Sequence, residues 1–245
     1  MADFGKLLGQ VKDNVVFVLI SILIMVAVYA IAKVSEKLIE KKTGVKFNQV
    51  KTKINRMTVI AMLSALAFIL MFYEFPVPFA PIFYKIDASE IPVLIGAFMF
   101  GPAAGVVIEG IKVLLHLVIK GTETAFVGDF ANFILGSCYV VPAATIYLFK
   151  KTKKSAIIGM IVGTVVLVIA GCLLNAYYLL PKYAELFGMP LDSLVAFGTA
   201  VNSSITNVFS FVALAVAPFN LLKGTIVSII TGALYKYVSR IIKTN

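Results

Sequence analysis

The chain has 245 residues, 60% of them hydrophobic and 14% charged, with a mean hydropathy of +0.99. A soluble domain is usually about one quarter charged, so this composition excludes a water-soluble domain and identifies an all-α, polytopic membrane protein. The net charge of +10 comes from short cation clusters between apolar runs, the pattern of topology signals rather than of a nucleic-acid surface.

Residues 1–13 are polar and charge-balanced. The first apolar run, 15–32, is read as long enough to cross about 30 Å of hydrocarbon. It lacks the usual basic region before it and an A-x-A-like site soon after it, so it reads as a mature helix and not as a signal peptide. Residues 33–56 carry eight Lys or Arg against two acids, and the spacing of Lys33, Lys37 and Lys41 predicts a helical extension or linker at the membrane surface. A second crossing follows at 57–73. The loop at 74–90, EFPVPFAPIFYKIDASE, contains Pro76, Pro78 and Pro81, which forbid a continuous helix. A loop this apolar is expected to fold down over a cavity.

A short apolar run at 91–100 breaks at Gly101-Pro102 and returns as 103–119. After a Gly/Thr loop at 121–129, a helix at 130–149 contains Pro142, which should kink it. Lys150, Lys151, Lys153 and Lys154 form a basic hairpin. The apolar run at 156–180 is expected to end at Pro181, residues 182–217 are mixed, and 221–239 is the last crossing before a basic tail. The two cysteines, Cys138 and Cys172, lie inside apolar runs and read as small core residues.

The basic clusters at 33–56, 150–154 and 236–243 fall on one side if six core helices follow residue 56 and one extra helix precedes it. That side is read as cytoplasmic, with the C-terminus on it, in a bacterial cell membrane. The chain divides into an N-terminal unit, 1–52, holding the extra helix and its basic linker, and a six-helix unit, 53–245.

Little points to catalysis. The single histidine, His116, forms an i, i+3, i+7 stripe with Glu109 and Lys112 in one apolar helix. The stripe is read as a face turned to the bundle, with Glu109 and Lys112 neutralising each other and His116 outside the shell that touches a ligand. There is no HExxH, no second histidine for a metal site and no GxxxxGK[ST] phosphate loop. Ala61/Ala65, Gly101/Gly105 and Gly159/Gly163 are small-xxx-small pairs that permit close helix approach.

Binding signals are stronger. Asn132, Asn175, Asn220 and Lys223 are all placed near the same outer level of the membrane, where polar groups are costly and usually face a cavity. The stretch Ala217-Pro218-Phe219-Asn220-Leu221-Leu222-Lys223-Gly224 is read as the mouth of the last helix, with Asn220 and Lys223 on one face of its first turn. It is either a helix boundary with a snorkelling lysine or a pair of donors aimed at a ligand.

From about residue 53 onward the chain resembles the riboflavin-specific S components of energy-coupling factor (ECF) transporters, the RibU family. The resemblance rests on Met62-Leu63-Ser64-Ala65, Phe75-Pro76-Val77-Pro78-Phe79, Ile86-Asp87-Ala88-Ser89-Glu90-Ile91-Pro92 and Phe100-Gly101-Pro102. It continues through Phe130-Ala131-Asn132-Phe133, Leu174-Asn175, Leu179-Leu180-Pro181, Pro218-Phe219-Asn220 and Lys223-Gly224. It implies a six-helix core that captures riboflavin outside the cell. The partners it implies are a transmembrane coupling subunit and two ATPases, with riboflavin as transported ligand and no cofactor. It implies ring-binding roles for Asn175, Asn220 and Lys223, a lid at Tyr84, Lys85 and Asp87, and a coupling surface at Ala61 and Ala65. Residues 1–52 lie outside the resemblance.

The physics of such a ligand agrees. Riboflavin is flat and amphipathic, and its pyrimidine edge alternates acceptors with an N–H donor, which asparagine amides can match. Three alternatives stay open on sequence: an S component for another vitamin or precursor, a self-sufficient secondary transporter, and an intramembrane enzyme built on Glu109 and His116.

Overall fold

The computed structural model describes residues 5, 9, 11–12, 14–47, 53–81, 83–122 and 124–244, with the side chains of 53–55 and 235–244 outside the description. Most of the polar 1–13 stretch, residues 48–52 and the side chains of the basic tail therefore lie outside the described residues. Helix α1 (Val15–Thr43) is followed by α2 (Lys53–Phe72), a short hairpin of β1 (Phe75–Pro76) and β2 (Lys85–Ile86), α3 (Glu90–Phe100) and α4 (Pro102–Ile119). Then come α5 (Val127–Lys150), α6 (Lys153–Leu186), α7 (Leu191–Val201) and α8 (208–244). Among the described residues, five helices are long and apolar enough to cross a membrane: α1, α4, α5, α6 and α8. The apolar stretches of α2 (Arg56–Phe72) and α3 are shorter.

Helix α1 merges the first apolar run with the basic stretch to Thr43 and stops where Gly44 turns left-handed at φ 72°. Its hydrophobic side chains Val16, Leu19, Leu23 and Ile31 are exposed, as suits a helix solvated by lipid. Its other face packs Met25, Val28 and Ala32 against Ala103 and Val106 of α4 and Phe133 of α5. Glu36 fixes the depth: its Oε1 accepts the Ala103 N–H at 3.2 Å, one of the orphan donors at the start of α4, and Lys33 pairs with its Oε2 at 2.8 Å. Phe47 of the linker is buried in the main core cluster, and Arg56 donates to the carbonyls of Phe47 and Phe100. The linker is thus tied to the Gly101-Pro102 break.

The tightest helix pair is α5 on α6. A Cβ at Gly163 would stand 2.6 Å from the Tyr139 carbonyl oxygen, and one at Gly159 would collide with the Ala143 carbonyl. The Gly159/Gly163 spacing is therefore a packing seam inside the bundle. The α5–α6 turn is closed by a reciprocal cap in which Thr152 and Ser155 bond each other's backbone N–H. Lys42 sits over the Phe149 ring at 5.6 Å, so the basic stretch at 33–56 and the basic hairpin at 150–154 share one end of the bundle.

Two expected boundaries are corrected. Helix α6 does not end at Pro181; it runs to Leu186 through a π turn at Asn175–Leu179, where the Leu180 N–H reaches back to the Asn175 carbonyl. The widened turn leaves room for a proline ring that would otherwise strike the preceding turn. The last helix does not begin at Leu221. It starts at Val208, capped by Asn207, and passes through a second π turn at Val212–Val216. Pro218 and Asn220 therefore sit well inside α8, and the helix-boundary reading of that stretch fails.

Candidate functional site

The loop between α2 and α3 does fold inward. Val77 and Ala80 are buried in one cluster with Leu180, Phe211 and Phe219, and the Tyr84 ring lies 5.1 Å from that of Phe219. Beneath the loop is a cavity of about 310 Å³, within the range of small-molecule sites. Its wall includes every residue the sequence singled out for binding: Tyr84, Lys85, Asp87, Asn132, Asn175, Asn220 and Lys223. Three asparagines and a lysine from α5, α6 and α8 thus converge on one space.

The two π turns bear on that convergence. Asn175 opens the first, and Asn220 lies one turn beyond the second. Each amide is anchored on its own helix: Asn175 Nδ2 donates to the Gly171 carbonyl at 2.8 Å and Asn220 Nδ2 to the Val216 carbonyl at 3.0 Å. Anchoring the nitrogens leaves both Oδ1 atoms to act as acceptors. Tyr84 O–H donates to Asn175 Oδ1 at 2.7 Å, which ties the loop to the pocket wall. The Oδ1 of Asn132 is buried without a hydrogen-bond partner among the described residues. Gly171 leaves the space Asn220 occupies, since a Cβ there would stand 2.5 Å from its Nδ2.

The pocket floor is ionic. Lys223 Nζ lies 3.3 Å from Asp87 Oδ2 and 3.9 Å from Glu90 Oε1. Lys112, fully buried behind it, contacts Glu109 at 2.6 Å, Glu90 at 3.0 Å and Ser89 Oγ at 3.1 Å. The expected Glu109–Lys112 neutralisation is therefore present but incomplete as a description, because Glu90 shares the same ammonium. At the mouth, Glu74 accepts from Lys85 at 2.7 Å and Lys120 at 3.1 Å. Partial burial works against the Glu74 carboxylate, but those two ammonium groups outweigh it and hold its pKa below the ordinary value. Lys85 is thus engaged with Glu74 on the loop side of the cavity.

His116 departs from its expected place. It lines the cavity, with Nδ1 3.0 Å from Asp129 Oδ1. Seven residues beyond Glu109 on α4, it has passed from the buried core to the pocket wall. Sequence reasoning also gave no pocket role to Glu74, Glu90, Lys120 or Asp129, all of which line it. The available signal was charge arithmetic: a lysine in the middle of α4 demands acids from elsewhere.

The small pair Ala61 and Ala65 lies apart from the pocket. Both are exposed on α2, beside the exposed Met62 and Leu66. Helix α1, which packs on α4 and α5, leaves them uncovered.

Membrane-length helices around a polar-floored pocket, closed by an aromatic loop, define a membrane-embedded small-molecule binding protein. Comparison with known proteins narrows the class. Residues 55–235 match the family model for the ECF transporter, substrate-specific component. The chain is 34% identical over 188 residues to the riboflavin transporter RibU of Staphylococcus aureus, covering 77% of this chain and 92% of that protein. It is also 34% identical over 186 residues to the riboflavin transporter FmnP of Bacillus subtilis, covering 75% and 91%. The solved S component of a bacterial ECF transporter superposes with a TM-score of 0.62 at 34% identity, spanning 78% of this chain and 99% of that one. The chain belongs to the substrate-specific components of ECF transporters. It is a transport protein and not an enzyme.

Proposed function

We propose that this chain captures riboflavin at the outer face of a bacterial membrane and delivers it through ATP-driven partner subunits, a transmembrane coupling protein and two ATPases. The observation that carries the reading is the meeting of Asn132, Asn175, Asn220 and Lys223 around one aromatic-lidded cavity. The names of the relatives support the choice of vitamin. In this reading the Asn220 oxygen accepts the one N–H of the flavin's pyrimidine edge and Lys223 donates to a ring carbonyl, Tyr84 and Phe219 supply flat apolar cover, and the Asp87 and Lys85 region faces the ribityl chain. An absorption spectrum of the purified protein after mixing with riboflavin and desalting tests it. Retained flavin absorbance supports the reading, and a colourless protein that retains another vitamin overturns the specificity.

The orientation follows from charge. The basic stretch and the basic hairpin share one end of the bundle, while the pocket mouth at Glu74 and Lys120 belongs to the loops at the other ends of the helices. The basic end, and the C-terminus with it, is assigned to the cytoplasm. A Lys153→Cys variant, exposed beside the α6 cap, should react with a membrane-impermeant maleimide only after the cells are opened; labelling of intact cells would reverse the orientation. The division near residue 52 is supported by the start of the family match at residue 55 and by the placement of α1 on the outside of α4 and α5.

Coupling is assigned to the exposed Ala61/Ala65 face of α2. Small residues let a partner helix approach closely. Ala61→Trp or Ala65→Trp should leave flavin affinity within about twofold and reduce uptake by about tenfold or more, an affinity and a barrier change on the scale of one lost packing contact. Uptake at the wild-type rate in both variants would remove this face from the coupling surface.

A further inference from the structure

The ionic floor of the pocket does not balance. Among the described residues, Asp87, Glu90 and Glu109 face two cations, Lys112 and Lys223, and Lys112, Glu109 and Glu90 are at most 2% exposed. Glu90 Oε2 and Glu109 Oε2 are buried with no hydrogen-bond partner among the described residues. The two carboxylates crowd one point: a Cβ placed on Gly136 of α5 would meet Glu90 Oε1 at 2.9 Å and collide with Glu109 Oε1.

Among the described residues the other charges of the pocket lie at its half-exposed mouth, where Lys85 and Lys120 are held by Glu74. Asp87 is held by Lys223 and by the Ser89 N–H at 2.8 Å. Helix α5 turns Gly136 and Tyr139 toward the cluster, and the Tyr139 hydroxyl is engaged with Ser228 of α8. Helix α2 carries no ionisable side chain from 57 to 72, and α1 keeps its Lys33–Glu36 pair at the Gly101 end. The His116–Asp129 pair lies two turns further along α4 and is paired within itself. With every carboxylate ionised, a dry site would hold one uncompensated negative charge, which is expensive away from water.

We propose that Glu90 and Glu109 hold a single proton between them, and that this proton sets the affinity of the pocket above. The inference rests on the flavin reading for its ligand and on the cluster geometry alone for its proton. Glu90 lines the cavity, so the proton exchanges with outside water through the pocket. When it leaves, the second carboxylate becomes anionic and draws Lys223, already 3.9 Å from Glu90, down toward the floor. The ring then loses its charge-assisted donor. Ligand and proton bind together, and each strengthens the other by linkage.

The test uses the full-length protein in lipid nanodiscs. Infrared difference spectra across the pH range in which the protein stays folded, in H₂O and D₂O, should show the carbonyl stretch of one neutral carboxylic acid that disappears as pH rises. Glu109→Gln and Glu90→Gln should each abolish it, because two remaining carboxylates then match two lysines, whichever residue carries the proton. Flavin titrations should show wild-type affinity falling about tenfold over the same range. Glu109→Gln should bind as the wild type does at low pH and lose the part of that slope that the shared proton carries. A wild type with no such band, a band that survives in both variants, or equal slopes in wild type and Glu109→Gln would each overturn the proposal. A band that behaves as expected in a protein that binds no flavin would support the proton site and remove the flavin reading.

Discussion

Lys112→Ala is expected to lower the stability of the folded protein by about 3–5 kcal/mol, the cost of removing one partner from a buried ionic group. Lys112 is fully buried and holds three acceptors from two helices: Glu109 on its own helix, and Glu90 and Ser89 at the start of α3. Without it, the start of α3 loses its tie to α4, and two carboxylates remain in the core. On the shared-proton proposal one of them is already neutral, so uptake of a second proton caps the loss. Melting of the purified variant in detergent should therefore show a marked drop in midpoint, and Lys112→Met combined with Glu109→Gln should recover part of it by removing a stranded acid with its partner. A melting midpoint unchanged in Lys112→Ala would mean that the cluster is solvated and that its charges do not hold α3 to α4.

The sequence made the helices legible because lipid imposes length and apolarity on them, and most boundaries fall within a few residues of expectation. It made the pocket residues legible because an asparagine or a lysine at membrane depth requires a reason. The misses have a common physical origin. Pro181 and Pro218 look like helix ends when only the local clash is considered; the π turns that accommodate them depend on packing between α6 and α8. The Phe75–Pro76 and Lys85–Ile86 hairpin is too short to leave a periodic signal. Glu90 as the second partner of Lys112 is separated from it by 22 residues and a helix break, so no spacing rule reaches it. His116 was misplaced because its stripe with Glu109 and Lys112 implies one environment, whereas α4 runs from the core to the pocket wall.

Asn220→Ala is expected to weaken flavin binding by about 1–3 kcal/mol, or about five- to a hundredfold. The amide nitrogen of Asn220 is committed to the Val216 carbonyl, so its Oδ1 is held as an acceptor at the pocket wall, and a ring N–H facing an alanine would be buried unpaired. Lys223→Ala should cost as much or more, because the bond proposed from its ammonium to a ring carbonyl would be charge-assisted. Part of that loss is indirect: Asp87 loses the ammonium 3.3 Å away, and the loop it anchors loosens. Lys223→Ala should accordingly lower the melting midpoint as well, whereas Asn220→Ala, which touches no ion pair, should reduce affinity with little change in melting. His116→Ala should cost less than either, yet more than a residue outside the pocket, since it removes a lining group and takes the imidazole from Asp129. Flavin fluorescence titration of the three variants, with melting recorded on the same samples, separates these effects. Wild-type affinity in both Asn220→Ala and Lys223→Ala, in proteins that melt normally, would place the flavin elsewhere and leave the polar convergence of α5, α6 and α8 as packing between helices.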